Sequence, residues 1–151
     1  MGHHESEETY LAIGRFMFEF SQLEMSLRHN IALEAGVKDR YFNAMITHDF
    51  ALLCTIAQEM LGHSWESEGQ RARLIAIIKE CRKLNDVRVS VAHGLWVPYR
   101  AGGTVHHVSL SSLKPQMSSD QAQELEEKAQ AINQLRSKFE VLMGEKTRFT
   151  D

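Results

Sequence analysis

Apolar residues recur at intervals of three and four through most of the chain. Phe16, Phe20, Leu23, Leu27 and Ile31 form the first such stripe, and the spacing predicts a long first helix over residues 6–35. Ser6 suits its N-cap, Glu7 and Glu8 its first turn, and Gly36 its C-terminal stop. Residues 38–62 read as a second helical region, with a break near Thr47–Asp49 and Gly62 as its stop. Residues 66–92 read as a third helix, capped by Ser64 or Ser67 and followed by Gly94. The period then shortens to two. Residues 95–100 and 104–110 read as two short strands around a Gly102–Gly103 turn, with Pro98 confining the first to an edge. Residues 118–146 read as a fourth helix, with Leu125, Ala129, Ile132, Phe139 and Leu142 as its stripe and Ser118 or Ser119 as its cap. The expectation is a mainly all-α fold, an up-and-down bundle of four main helices with a short β-hairpin between the third and fourth. One domain covers residues 1–151.

The stripe of the third helix changes character toward its end. Leu74, Ile77, Ile78 and Cys81 share one face at 100° per residue, and Asn85, Arg88 and Ala92 continue that face. A guanidinium aimed inward needs a partner, because burying an unpaired charge is costly. Glu24 breaks the first helix's stripe in the same way, between Phe20 and Leu27. Glu24 is therefore expected to face Arg88 or its neighbourhood. Such a pair is either a structural tie between helices or part of a site.

The first helix is also apolar on its opposite side, where Leu11, Phe18 and Met25 fall with Gln22 and His29 nearby. A helix apolar on two sides is central or packs on another subunit. A homodimer seam is the expected reason; the alternative is cover from residues 38–46 or from the hairpin.

Composition narrows the class. Hydrophobic residues make up 43% and charged residues 25% of 151, which suits one globular domain with a core of its own. The formal net charge of −3 argues against a broad basic surface, although a local basic groove remains compatible with it. Arg71, Arg73, Lys79, Arg82 and Lys83 are interleaved with acids and read as a solvated face. Cys54 and Cys81 lie in helical patterns and read as buried free thiols of a reducing compartment. No apolar run approaches a membrane span, the opening residues carry no signal core, and His3 and His4 are given no role. The expected location is cytoplasmic. His106 and His107 are adjacent on a strand and point to opposite faces, neither cysteine has metal-ligand spacing, and no Gly-rich phosphate loop or nucleophile elbow occurs. No metal and no cofactor is expected.

The end of the third helix reads Arg-Val-Ser-Val-Ala-His-Gly, residues 88–94. Arg88, four intervening residues and His93, then Gly94 and an aromatic-bearing strand region, resemble the motif of HEPN domains. Phe20 to Arg28, Phe-Ser-Gln-Leu-Glu-Met-Ser-Leu-Arg, resembles the first-helix signature of some HEPN groups. The resemblance follows the helix order over most of the chain and is carried by about two dozen residues. Val89 departs from it, since the family usually has a polar residue, often Asn, after the arginine.

The resemblance implies a small helical, often dimeric protein and metal-independent RNA cleavage, with Arg88 and His93 as catalytic residues. The RNA 2′-hydroxyl attacks its own phosphate, giving a 2′,3′-cyclic phosphate and a 5′-hydroxyl. His93 suits proton transfer, with a reference pKa of about 6.5. Arg88 suits the charge that develops on phosphorus oxygens. Asn85 and Glu24 would be supporting residues, with Ser90 a further candidate. An RNA substrate, a second copy of the chain and a cognate antitoxin are the implied partners, and the biological setting is a toxin or phage-defence effector. The other reading is a non-catalytic HEPN-like module binding a protein, nucleotide or RNA, in which Arg88–Glu24 is structural and His93 answers the helix dipole.

Overall fold

The computed structural model describes the backbone at residues 2–97, 104–108, 115–118 and 122–146, and side chains over 7–94 and 122–145. The fold is mainly helical. Five helices occur among the described residues: α1 (Gly2–Glu34), α2 (Phe42–Met45), α3 (Phe50–Gly62), α4 (Glu68–His93) and α5 (Ala122–Lys146), with a 3₁₀ turn at Asp39–Tyr41.

Helix ends follow local chemistry. Gly36 has φ +66°, Val37 N–H donates to the Ala32 carbonyl at 2.9 Å and Gly36 N–H to that of Leu33 at 3.2 Å. This is a Schellman stop, which needs a residue at ease in the left-handed region. Asp49 caps α3, its side chain accepting from Leu52 N–H at 2.9 Å. Ser67 stands at the start of α4, its carbonyl accepting from Arg71 N–H at 3.2 Å. Two expected caps are corrected. Ser6 lies inside α1, which begins at Gly2, and Ser118 lies in a strand, well before α5 begins at Ala122. Ser119 lies outside the described residues.

The expected two-stranded hairpin also needs correction. Between α4 and α5 the backbone forms three short strands, β1 (Leu95–Val97), β2 (Thr104–Val108) and β3 (Pro115–Ser118), antiparallel in sequence order. Pro98, the Gly102–Gly103 turn and the side chains of His106 and His107 lie outside the described residues.

Contacts gather the chain into two compact units, and α1, α4 and α5 each contribute to both. The first comprises residues 1–20 and 86–132. Its described core is Ala12, Phe16, Phe20, Val91, Leu125, Ala129 and Ile132. The buried face of α4 continues here through Val91, while Ala92 is exposed. Arg15 bridges to Glu126 at 3.0 Å on the surface, an exposed pair that contributes little.

The second unit comprises residues 21–85 and 133–151. Four helical segments close around Leu23, Leu27, Leu53, Leu61, Leu74, Ile78, Phe139 and Leu142, all at 0–1% exposure. Polar side chains join neighbouring segments at the rim. Ser64 donates to Glu34 at 2.6 Å, Arg82 to Thr55 at 3.0 Å, Arg73 to Glu145 at 2.8 and 3.1 Å, and Ser26 to Glu140 at 3.2 Å.

These contacts also give direction. Arg28 of α1 meets residues just before α3, and Glu34 meets Ser64 just after it, so α3 runs parallel to its α1 neighbour. Arg82 meets Ala51 and Thr55 at the start of α3, so α4 returns antiparallel. The up-and-down expectation fails at its first step. Residues 35–49 carry the chain back along α1 before α3 begins, where an alternating bundle needs a short reversal.

On α1, Leu11 is 58% exposed, Phe18 62% and Met25 49%. The second apolar strip read from the sequence is therefore open to solvent in the single chain. No helix among the described residues is long and apolar enough to cross a membrane.

Candidate functional site

The last two turns of α4 carry Arg88, Ser90 and His93, all in the first unit. Arg88 is half-buried, and its guanidinium carbon lies 5.5 Å from the centroid of the Phe20 ring. Stacking uses the face of a guanidinium and hydrogen bonding its edge, so the two are compatible. Ser90 turns its hydroxyl back along the helix and donates to the Asp86 carbonyl at 3.2 Å. His93 is the final residue of α4 and is exposed. Gly94 N–H donates to the Ser90 carbonyl at 2.8 Å and closes the last turn. The imidazole thus stands at the C-terminal end of a helix, where the backbone carbonyls point. His93 lies five positions beyond Arg88, about 7.5 Å along the helix and about 140° around it. The two side chains leave α4 from different sides, so a shared phosphate relies on the length of the arginine.

Asn85 and Glu24 belong to the second unit. Asn85 is half-buried on α4. Glu24 is half-buried on α1, and its carboxylate lies 3.9 Å from His48 Nδ1.

One polar group went unnoticed as a site residue in the sequence. Arg28, one turn beyond Glu24, is buried at 4% exposure. Its Nη2 donates to the Ile46 carbonyl at 3.3 Å and lies 3.4 Å from His48 Nε2, while Phe42 lies under the guanidinium with 4.6 Å from Cζ to the ring centroid. Its Nε is buried without a hydrogen-bond partner. The signal was faint: Arg28 sits 100° around the helix from Leu27, beyond the main stripe. It is buried because residues 42–48 fold over that flank.

Cys54 and Cys81 are both fully buried free thiols, as their helical positions predicted. A hydrogen bond from Cys81 and the nearby Arg82 lower the pKa of Cys54 against the opposing effect of burial. The hydrogen bond with Cys54, and then burial, push Cys81 far above the ordinary thiol value. A groove of about 420 Å³ opens between α4 and α5 in the second unit, floored by Ala76, Ile77 and Val141 and rimmed by Arg73 and Lys138. Among the described residues that line it there is no imidazole, thiol or carboxylate. Among the described residues, no three His, Cys, Asp or Glu side chains cluster as metal ligands would.

Comparison with protein-family models, with curated proteins and with solved structures found no match to this chain.

Proposed function

We propose that the chain is a HEPN-like, metal-independent ribonuclease that works in the cytoplasm as a homodimer, in a toxin or phage-defence role with a cognate antitoxin. The observation that carries this reading is the end of α4, where an exposed imidazole follows a half-buried guanidinium braced on Phe20. In this reading His93 moves the proton of the attacking 2′-hydroxyl or of the departing 5′-oxygen. Arg88 neutralises charge on the phosphorane oxygens, and bracing on a ring limits the entropy lost when it binds. Asn85 and Glu24 act as supporting polar residues. The Ser90 hydroxyl, turned toward Asp86, is the weakest member of the set. The exposed Leu11, Phe18 and Met25 strip supplies the seam for the second copy.

The test is cleavage of mixed RNA in EDTA by the native chain beside His93→Ala and Arg88→Ala, with equal folding shown by circular dichroism. Loss of a proton-transfer group lowers the rate about 10²–10⁴-fold, and loss of the phosphorane cation about 10²–10³-fold. Products should end in a 2′,3′-cyclic phosphate. A native chain that does not cut, or variants that cut as well as it does, would overturn the assignment.

A second reading, a non-catalytic HEPN-like binding module, is favoured by Val89, which follows Arg88 where the family usually carries a polar residue. Under it Arg88 is a structural cation, and the α1 strip receives a protein partner.

A further inference from the structure

Arg28 is the one charged side chain in the buried core of the described residues. A guanidinium carries five N–H donors and a permanent charge. Here Nη2 has two long contacts, to the Ile46 carbonyl and to His48 Nε2, and Nε has none. Among the described residues no carboxylate lies within 4.0 Å of it; the acid one turn away, Glu24, is turned to the far side of His48. Phe42 screens one face of the cation without neutralising it. Burial without an anionic partner is the least stable way to hold such a group.

We propose that Arg28 anchors a small oxyanion site, entered by displacing His48, whose ligand is inorganic phosphate or the phosphate group of a larger molecule. The door is cheap to open. The His48 side chain is 68% exposed, lies in the non-helical stretch before α3, and touches Arg28 through a single 3.4 Å contact. Arginine only donates, so as a hydrogen bond that contact uses His48 Nε2 as the acceptor, the tautomer that places Nδ1–H on the Glu24 side. When the ring swings away, it exposes the Nη2 edge to the incoming anion. Phe42 meanwhile keeps the guanidinium plane fixed. A planar fork held by a ring suits the paired oxygens of a phosphate. Glu24 sets the threshold: its charge at the doorway repels a second anion and favours the closed position of His48.

The proposal is independent of Arg88 and His93 and is tested on the full chain. Inorganic phosphate is titrated against the native protein, Arg28→Lys and Glu24→Gln by NMR, following the arginine Nε–H signals and, for the affinity of all three chains, the backbone amides of residues 46–49 beside Arg28. The Arg28 signal is identified by its loss in Arg28→Lys, which keeps the charge and avoids an emptied core. The expected result is a saturable shift of that signal, affinity weaker by about tenfold or more in Arg28→Lys, where the fork is lost. Glu24→Gln should bind several-fold more tightly, a gain that a merely misfolded variant cannot give. A second arm uses short single-stranded RNA with the His93→Ala chain, so that cleavage does not enter. A shift with phosphate assigns the free ion; a shift with RNA alone assigns a phosphodiester. If neither probe moves the Arg28 signal, or if Arg28→Lys binds as well as the native chain, the site does not exist and Arg28 is a tether for residues 42–48.

Discussion

Gly36 has a backbone that an L side chain enters only with strain, φ +66° at the Schellman stop of α1. Space is not the obstacle, since a Cβ there would meet nothing within 4 Å. Gly36→Ala therefore isolates the backbone term, and the expected loss is about 1–2 kcal/mol. Urea unfolding measures it, and an unchanged midpoint would show that the turn relaxes freely. This residue was legible in the sequence, because a glycine closing an apolar period has a local cause. Arg28 was not, because its burial is decided by residues 42–48 folding back over α1.

At the scale of elements, the seam between α3 and α4 is set by two thiols and a guanidinium. Arg82 of α4 reaches Thr55 and the Ala51 carbonyl of α3 beside Cys54 and Cys81. Cys54 is lowered from its ordinary value of 9.0, so its stabilising contribution grows as pH rises toward 9.0 and is constant above it. Cys81 is raised from the same value, so its contribution is complete below pH 9.0 and is lost as pH rises further, because the unfolded chain releases a proton that the folded chain keeps. Above pH 9.0 stability should thus fall as pH rises, from this group. Replacing both thiols, Cys54→Ala with Cys81→Ala, should flatten that slope in denaturant titrations at pH 8 to 10, and an unaltered slope would remove the thiol pair as its source. The helices that form this seam were readable from period alone, since Leu53, Leu61, Leu74 and Ile78 are fixed by their own spacing. Their relative direction was not. Spacing shows that residues 35–49 lie between two helices, and it carries no information on whether that link reverses the chain or returns it to its starting end.

For the whole molecule, the proposed homodimer rests on Leu11, Phe18 and Met25, seven residues apart and each about half exposed or more. Two such strips can interlock as a short seam. Phe18→Glu is expected to convert a dimer at micromolar concentration into a monomer, read by sedimentation velocity. A native chain that sediments as a monomer would leave the strip for another partner, and a variant that stays dimeric would place the seam elsewhere. The rim bond between Ser26 and Glu140 has a consequence in time. These partners are separated by 114 positions in sequence. At ordinary translation rates α5 follows the middle of α1 out of the ribosome after a delay on the order of 10 seconds. Leu23 and Leu27 spend that interval without the last wall of their core, so the nascent chain, rather than the finished protein, is the state in which this sequence most needs a chaperone.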